Sequence, residues 1–376
     1  MKTSGIYIHI PFCLQKCDYC DFLSFESCGD MEKYVDALLH EMETNGRTQF
    51  APTNAPVGAN CVRPQISTVY IGGGTPTALP SHLLCKILCA IKNLYLLAGI
   101  EITVEANPGT LTGEYLAALK SHGVTRLSIG LQTTKPHLLK AINRIHTMAD
   151  FIENFHAARS AGFDSINVDL MFALPGQTLQ DWQDTLEEII ALSPEHISAY
   201  SLTPAENTPL WDALDTGQTH LPGDETDRKM YHLARKLLTQ AGYIHYELSN
   251  FAKPGYESRH NMNCWRRVPY YAFGLGGHSF DGEKRWHNTE DMGEYLVGNY
   301  APQGIEVFTE ADAQAETMIL GLRLMEGVRE SHIPQIYADK VAVQIKKGLL
   351  AREDGYIRLT PHGMDFANQV FEAFLQ

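Results

Sequence analysis

The chain has 376 residues, of which 44% are hydrophobic and 20% are charged, so its composition is that of a folded globular protein rather than a collagen-like, disordered or coiled-coil one. Its 44 Asp and Glu exceed its 30 Lys and Arg. The resulting net charge of −14 argues against a nucleic-acid partner, because such proteins carry basic patches that neutralise phosphates. Eight cysteines are too few for a disulfide scaffold, yet three of them, Cys13, Cys17 and Cys20, lie within eight positions.

Short β-like runs alternate with amphipathic helical stretches through the first two thirds of the chain. Strands are predicted at Gly5–Ile10, Ser67–Ile71, Glu101–Glu105, Thr125–Leu131, Ser165–Met171 and His196–Leu202. Helices are predicted between them at Met31–Asn45, Pro80–Leu97, Thr112–Ser121, Met148–Ala161 and Thr178–Leu192, and a loop is predicted at Ala51–Pro64. Repeated strand–helix units predict an α/β fold with a parallel sheet. Six such strands fit a partial (β/α)6 barrel of the TIM type better than a complete eight-stranded one.

The pattern loosens after Thr203. A helix is predicted at Asp224–Ala241, and a Gly-, Tyr- and His-rich section with poor helical periodicity follows at Tyr243–Tyr300. The tail then has the element order of a winged-helix-like α+β domain: helices at Glu310–Glu326 and Ile333–Lys347, a strand at Tyr356–Leu359 and a helix at Pro361–Phe374. We therefore predict three parts, at residues 1–240, 241–305 and 306–376.

The charge of the tail bears on its function. Residues 305–376 carry seven Lys and Arg against eleven Asp and Glu, and no basic recognition helix stands out. We interpret this domain as a packing or partner-binding module rather than a DNA-binding one. No run of about 18 apolar residues predicts a membrane span, and the first twelve residues do not resemble a secretory signal peptide. We therefore expect a cytoplasmic protein, in which clustered cysteines bind metal more often than they form disulfides.

The run from Cys13 to Cys20 has the spacing C-x3-C-x2-C and follows directly on the first predicted strand. Three thiolates this close can hold one face of an iron–sulfur cluster, because sulfur is a soft ligand suited to iron–sulfur and zinc sites. A zinc site would need a fourth ligand, and the nearby candidates Cys28 and His9 give no standard paired spacing. A [4Fe–4S] cluster with three protein ligands leaves one iron open for a small molecule.

This run resembles the signature of the radical S-adenosylmethionine (radical SAM) superfamily. The longer string from Tyr7 to Phe22 is similar to the branch that contains oxygen-independent coproporphyrinogen III oxidases and the HemW heme chaperones. The resemblance implies a [4Fe–4S] cluster on Cys13, Cys17 and Cys20, whose remaining iron binds the amino and carboxylate groups of S-adenosylmethionine. In the superfamily, one-electron reduction breaks a carbon–sulfur bond of this cofactor and gives a 5′-deoxyadenosyl radical.

Further matches to the family stand at the C-terminal ends of predicted strands, where a barrel of this type places its site. Each polar side chain alone would be interpreted as a hydrogen-bonded strand end, but six of them occur in chain order beside the cysteine loop. The resemblance implies that the cofactor-binding residues are Tyr7, Gly73, Gly74, Thr75, Glu105, Gln132, Arg144 and Asp169. An arginine suits the carboxylate of the cofactor, and acidic or amide groups suit its ammonium or ribose hydroxyls.

Three features separate the two kinds of relative. The oxidases carry a fourth cysteine where Phe22 stands here, and they have a long N-terminal extension where only twelve residues precede Cys13. The third feature is the segment His260-Asn-Met-Asn-Cys264-Trp265, which resembles the chaperone motif H-N-x-x-Y-W with cysteine in place of tyrosine. The resemblance ties this segment to heme, because histidine or thiolate can ligate heme iron and an indole can stack on a porphyrin. Which residue ligates the iron stays open, and Cys264 is one hypothesis.

We expect a heme chaperone that carries a [4Fe–4S] cluster and S-adenosylmethionine, binds heme as cargo and transfers it to an unidentified acceptor protein. In this interpretation the cluster and cofactor regulate transfer rather than drive enzymatic turnover. One alternative is a radical oxidase that decarboxylates coproporphyrinogen III, and another is a zinc-dependent structural protein. The sequence leaves open whether heme attaches covalently, whether radical chemistry is used, and whether the chain forms a homodimer.

Overall fold

The computed structural model describes residues 4–26, 31–49, 65–95, 97 and 99–375. The loop predicted at Ala51–Pro64 and the thiol of Cys28 lie outside the described residues. The part of the chain so described contains a 12-stranded mixed sheet and a 3-stranded sheet near the C-terminus. None of its helices is both long and apolar enough to cross a membrane.

Six parallel strands form the centre of the large sheet and follow one another in chain order. They are β1 (Ser4–Ile10), β2 (Ile66–Gly73), β3 (Glu101–Ala106), β4 (Arg126–Gln132), β5 (Ile166–Phe172) and β6 (His196–Ser201). The helices between them are α1 (Met31–Gln49), α2 (Ser81–Leu94), α3 (Gly113–Ser121), α4 (Pro136–Ala141), α5 (Met148–Ser160) and α6 (Leu179–Leu192). This arrangement confirms the predicted α/β fold with six strand–helix units.

Alternation along the strands separates the hydrophobic core from a polar concave face. On β1, Ile6, Ile8 and Ile10 are fully buried and belong to the main hydrophobic core, whereas Tyr7 and His9 point to the other face because successive side chains alternate. Capping boxes, in which an N-cap threonine and an aspartate three residues later bond each other's backbone, begin α5 and α6.

The segment between the barrel and the tail contributes strands to both edges of the sheet. Its elements are α7 (Pro209–Asp215), α8 (Asp224–Gln240), β7 (Ile244–Glu247), β8 (Asn250–Ala252), α9 (Arg259–Trp265), β9 (Tyr270–Phe273), β10 (His278–Phe280), β11 (Lys284–His287), α10 (Met292–Leu296) and β12 (Gln303–Val307). Strand β9 pairs in parallel with β1, and β8 pairs antiparallel with β6. The two outermost strands, β12 and β7, do not pair with each other within the described residues, as a partial barrel requires.

The tail keeps the predicted winged-helix-like order, with one strand that was not predicted, between its first two helices. Its elements are α11 (Glu310–Gly321), β13 (Val328–Arg329), α12 (Ala338–Lys346), β14 (Leu350–Glu353), β15 (Tyr356–Leu359), α13 (Pro361–Asp365) and α14 (Ala367–Glu372). The last predicted helix is therefore two short helices. Residues of this domain form a hydrophobic cluster separate from the main one, centred on the fully buried Met318, Leu322, Ile357, Val370 and Phe374.

Candidate functional site

The cysteine loop follows β1 and is closed by backbone hydrogen bonds. The amide of Cys13 donates to the carbonyl of Phe25 at 3.0 Å, and the amide of Phe25 donates to the carbonyl of Pro11 at 2.8 Å. Within the loop, the amide of Cys20 donates to the carbonyl of Cys17 at 3.1 Å, which makes the tight turn that their spacing requires. These bonds hold the loop at the C-terminal end of β1.

A first cavity of about 290 Å³ lies between this loop and the C-terminal ends of the parallel strands. The three clustered cysteines line it. So do seven of the eight residues that the resemblance assigns to the cofactor, namely Gly73, Gly74, Thr75, Glu105, Gln132, Arg144 and Asp169. The eighth, Tyr7, lines a second cavity instead. Side chains that are up to 156 positions apart in the chain thus meet in one place because parallel strands end at the same edge of the sheet.

Glycines at the end of β2 let the cysteine loop approach closely. Gly73 has a φ of +110°, which L side chains rarely adopt. A Cβ atom at Gly74 would lie 2.6 Å from the carbonyl oxygen of Phe12, so only glycine fits there without a shift of the backbone. The next residue, Thr75, donates its amide to the same carbonyl at 2.7 Å and its hydroxyl to the Sγ atom of Cys13 at 3.6 Å. The glycine run therefore positions one of the thiols.

Arg144 connects the cysteine loop to two strand ends from within the first cavity. Its guanidinium donates to the Sγ atom of Cys17 at 3.3 Å and to the side-chain oxygen of Asn107 at 2.9 Å, and it also bonds the carbonyl of Gly130. Its Nε atom is buried and has no hydrogen-bond partner among the described residues. A buried cation with an unused donor suits a carboxylate ligand.

Three acceptor side chains face the same cavity. Glu105 accepts a hydrogen bond from the Tyr70 hydroxyl at 2.7 Å, and burial raises the pKa of Glu105 to about 7. Asp169 accepts from the Ser128 hydroxyl at 3.0 Å. Gln132 has a φ of +73°, and its Oε1 atom is buried without a partner in the described part of the chain. Acceptors of this kind suit a ligand that carries ammonium and hydroxyl donors.

The three thiols are not arranged as the site of a single metal ion. No three His, Cys, Asp or Glu side chains of the described residues converge as ligands of one ion. Zinc needs such convergence, whereas in an iron–sulfur cube each thiolate binds a different iron, so the sulfurs stay apart. Burial raises the pKa of Cys13 and of Cys20, so their thiolate forms need a nearby positive charge. The donor set therefore fits a cluster better than zinc.

A second cavity, of about 630 Å³, opens on the other side of the cysteine loop. Aromatic rings, histidines and the loop itself form most of its lining: Tyr7, His9, Lys16, Asp21, Phe22, Leu23, Ser24, Phe25, His260, Cys264, Tyr270, Gly276, His278 and Glu290. Lys16, Asp21 and Phe22 line both cavities, so the loop is the wall between them. A cavity of this size with a few convergent polar groups is the usual form of a small-molecule site.

Helix α9 brings His260 and Cys264 to the second cavity. The backbone amides of Arg259 and His260 donate to the carboxylate of Glu101 at 3.1 and 3.0 Å, which fastens the helix to the beginning of β3. The Nδ1 atom of His260 shares a hydrogen bond with the hydroxyl of Thr68 at 3.0 Å. Burial lowers the pKa of His260 to about 4, so its ring is neutral at pH 7. With Nδ1 occupied, Nε2 is the nitrogen left for a ligand.

Trp265 lines neither cavity. Its ring lies under the guanidinium of Arg323, whose Cζ atom is 4.3 Å from the ring centroid. The same guanidinium lies 3.8 Å from an oxygen of Glu247, a fully buried carboxylate. Three further ion pairs join the tail to the residues just after α9 and to β11: Arg266–Glu326, Arg267–Glu316 and Arg285–Glu316. Trp265 therefore connects α9 to the C-terminal domain.

Among the cavity-lining residues that were given no role from the sequence are Asn107, Lys16 and His278. Asn107 lines the first cavity and donates to the hydroxyl of Thr75 at 2.8 Å, and Lys16 lies inside the cysteine motif. Both could have been found from their positions beside the motif residues. His278 lines the second cavity and directly follows the glycine-rich stretch Gly274–Gly277, a signal in the sequence that gave the histidine itself no role. His9, considered above as a zinc ligand, uses both ring nitrogens in hydrogen bonds to Tyr7 and to a backbone carbonyl.

Comparison with known proteins places these features in a family context. A family model of the radical SAM superfamily matches residues 7–189, and one of the HemN C-terminal domain matches residues 308–366. The heme chaperone HemW of Bacillus subtilis (strain 168) is 36% identical over 392 residues, covering 100% of this chain and 99% of the relative. The heme chaperone HemW of Escherichia coli (strain K12) is 32% identical over 386 residues, covering 99% and 98%.

Among solved structures, coproporphyrinogen III oxidase (HemN) from Escherichia coli superposes with a TM-score of 0.82. The match covers 99% of this chain and 90% of the oxidase at 23% sequence identity. At this identity the likeness shows the fold alone. It confirms the expected fold class, and it does not separate an oxidase from a chaperone.

Proposed function

The chain belongs to the HemW family of heme chaperones, and from that premise we propose that it binds heme and transfers it to an acceptor protein. The family relatives match over nearly their whole length, so the heme-related segment is included as well as the barrel. The single observation that carries the proposal is the position of His260. This family-motif histidine lies in a cavity of about 630 Å³ that the cysteine loop separates from the first cavity.

We propose that Cys13, Cys17 and Cys20 hold a [4Fe–4S] cluster and that the first cavity holds S-adenosylmethionine. When bound, the cluster supplies an open iron for the amino and carboxylate groups of the cofactor. Two buried atoms without a hydrogen-bond partner among the described residues support the fit: the Nε atom of Arg144 for the carboxylate and the Oε1 atom of Gln132 for a donor. The other cofactor contacts that we propose are Gly73, Gly74, Thr75, Glu105 and Asp169.

Tyr7 lines the second cavity and is linked to the first through Tyr70. The Nε2 atom of His9 must donate to a backbone carbonyl, so its Nδ1 atom accepts the hydrogen bond from the Tyr7 hydroxyl at 3.2 Å. The ring of Tyr7 stacks on Tyr70, with centroids 6.3 Å apart, and Tyr70 donates to Glu105. We therefore propose that Tyr7 acts on the cofactor cavity through Tyr70 and Glu105 while it lines the heme cavity.

For the heme, we propose that His260 is an axial ligand through its Nε2 atom. A neutral imidazole whose other nitrogen is held by a hydrogen bond is the form in which histidine binds metals. Cys264 lies one turn further along α9, and burial raises its pKa to about 11. Lys16, whose side chain lies at the wall between the cavities, is a suitable partner for a heme propionate. Trp265 acts by holding α9 against the C-terminal domain.

The test is titration of the anaerobically reconstituted protein with hemin, followed by addition of apomyoglobin as a general heme acceptor. We expect a Soret band that saturates at one hemin per chain and then moves to myoglobin. His260→Ala should weaken binding, and a protein that shows no stoichiometric hemin binding would contradict the proposal. The Soret band of Cys264→Ser shows whether the thiol is a ligand, because an unchanged band would exclude it.

Two control measurements address the alternatives. Incubation with coproporphyrinogen III, S-adenosylmethionine and a reductant should give no protoporphyrinogen, and its formation would favour the oxidase. Iron and sulfide analysis separates a cluster protein from a zinc protein, which would be colourless. A cytoplasmic location follows from the requirement for reduced thiols and is checked by cell fractionation. The homodimer stays a prediction, which sedimentation of the same preparation tests.

A further inference from the structure

The second cavity contains more nitrogen and sulfur donors than one axial position needs. Four of its residues carry an imidazole or a thiol that could in principle ligate heme iron: His9, His260, Cys264 and His278. Heme iron has two axial positions on opposite faces of the macrocycle. The question of the second ligand rests on the proposed function, because it concerns how the same cargo is held.

His9 is excluded by its hydrogen bonds. Its Nδ1 atom bonds the Tyr7 hydroxyl at 3.2 Å, and its Nε2 atom bonds the carbonyl of Leu23 at 2.8 Å. Its ring also fills the space over Gly73, where a Cβ atom would lie 2.6 Å from it. Iron binding would break at least one of these contacts. His9 is therefore part of the cavity wall.

Cys264 cannot lie opposite His260. The two residues are four positions apart on α9, so their side chains project from the same face of one helix. A ligand opposite His260 must come from another wall of the cavity. Cys264 is thus an alternative to His260 on one side of the heme, not its partner on the other.

His278 stands on a different wall and has free ring nitrogens. It begins β10, its side chain is exposed, and neither ring nitrogen forms a hydrogen bond within the described residues. Its ring lies against that of His287, with centroids 5.0 Å apart. An imidazole without a hydrogen-bond partner at the rim of a cavity is able to turn toward a ligand.

The sheet register separates the two histidines by a distance suited to a macrocycle. The Cε1 atom of His260 lies 3.4 Å from the Cβ position of Gly5. Gly5 pairs with Tyr270 of β9, and Tyr270 pairs with Phe280 of β10, two residues from His278. His278 is therefore two strand spacings, or ~10 Å, across the sheet and ~7 Å along it from Gly5. This offset leaves room for a flat ring between two imidazoles.

We propose that His278 is the second axial ligand of the bound heme, opposite His260, so that the cargo is held in a six-coordinate state. His260 is the buried ligand and His278 the exposed one. Transfer then begins at the exposed side: the bond from iron to His278 breaks, a bond from iron to the acceptor's ligand forms, and the oxidation state of the iron does not change. Release of His260 completes the transfer.

The test compares ferric-heme complexes of the wild-type protein, His278→Ala and the matched control His287→Ala, by EPR and resonance Raman spectroscopy. We expect a low-spin, six-coordinate signal in the wild type and in His287→Ala. His278→Ala should be high-spin and should lose hemin to apomyoglobin about tenfold faster. Added imidazole should restore the low-spin signal. His278→Met, whose thioether can also ligate heme iron, should be six-coordinate with an altered spectrum.

The outcomes separate this inference from the proposed function. If the wild type binds hemin but His278→Ala keeps an unchanged low-spin signal, the inference is wrong and the heme-binding proposal stands. If the wild type is high-spin, His278 is not a ligand either. If the wild type binds no hemin at all, both proposals fail. Circular dichroism of each variant verifies that it is folded, and imidazole rescue shows that the cavity is intact.

Discussion

The two cavities share the cysteine loop as a wall, yet they are constructed in different ways. The first is formed where parallel strands end, and its thiols come from one short run between Cys13 and Cys20. The second needs helix α9, which is fastened to the beginning of β3 by Glu101 and to the C-terminal domain by Arg323. A site made from strand ends depends on the barrel alone, whereas the second cavity also depends on distant segments. The two should therefore respond differently to substitution.

The largest effect is expected from Cys17→Ala. Removal of one of three thiolates should reduce iron and sulfide to background, because the cluster would retain only two protein ligands. The loop is closed by backbone hydrogen bonds, so the second cavity should persist and hemin should still bind. Cys89→Ala, at an exposed position of α2, is the matched control and should retain the cluster. Loss of hemin binding together with the cluster would show that the cavities are not separable.

Arg323→Ala should affect the second cavity and leave the cluster unchanged, because Arg323 holds α9 in place. The change removes the cation over Trp265 and leaves the buried carboxylate of Glu247 without its counter-charge. We expect a loss of about 3 kcal/mol in the free energy of unfolding and weaker hemin binding with unchanged iron content. Urea unfolding and hemin titration measure these effects.

The matched control is Arg266→Ala, whose ion pair with Glu326 is half exposed on both sides. Such a pair contributes about 0–1 kcal/mol, so the control should change little. Equal losses of cluster and hemin in Arg323→Ala would contradict the comparison.

A pH dependence is expected from Glu41, which binds the turn after β9 two residues before Gly276 of the second cavity. Its carboxylate accepts hydrogen bonds from the amide of Gly274, the side chain of Asn288 and the hydroxyl of Tyr295, at 2.7 to 2.9 Å. Burial nevertheless raises its pKa from 4.5 to about 7. Between these values the unfolded chain is ionised while the folded one holds the proton. Stability therefore falls as pH rises from 4.5 to 7, by up to roughly 3 kcal/mol.

Glu41→Gln should remove this contribution and flatten the pH profile of the free energy of unfolding between pH 4.5 and 7. Glu43→Gln, at an exposed position on the same helix, is the control and should leave the profile unchanged. Denaturant unfolding at several pH values gives the difference between the variants. An identical slope in wild type and Glu41→Gln would show that Glu41 does not contribute.

The smallest effect is expected from Gly74→Ala, which tests the first cavity. The added Cβ atom would meet the carbonyl of Phe12 at 2.6 Å and push the cysteine loop away. We expect a loss of ~1–3 kcal/mol in stability and a lower iron content, with hemin binding preserved. Gly113→Ala, where nothing lies within 4 Å of the new atom, is the control. A normal iron content in Gly74→Ala would mean that the loop tolerates the shift.

The barrel was predictable because its signals are local. The isoleucines of β1 alternate with polar residues, and each of the six strands carries a comparable pattern. This pattern predicts the parallel sheet, and the sheet in turn predicts that the site lies at the edge where its strands end. The cysteine motif is also local, since its three thiols occupy eight consecutive positions. Seven of the eight cofactor residues expected from the resemblance indeed line one cavity.

The second cavity was not predictable in the same way. The four residues of β9 have no marked periodicity, and their partner β1 lies about 265 positions earlier in the chain. The position of Trp265 under Arg323 depends on how the tail packs against α9. Whether Tyr7 faces the first or the second cavity depends on the path of the cysteine loop beside it. Such arrangements are decided by packing between distant segments, which a pattern in the sequence does not record.

The parallel pairing of β1 with β9 also has a consequence for biosynthesis. Gly5 leaves the ribosome early, and Tyr270 follows 265 residues later, which corresponds to roughly 15–50 s at ordinary translation speeds. During that interval the strand that carries the thiol loop has one unpaired edge, which is a hazard for aggregation. A ribosome that stalls before the codon for residue 270 leaves an incomplete product whose thiols stand on an open-edged strand.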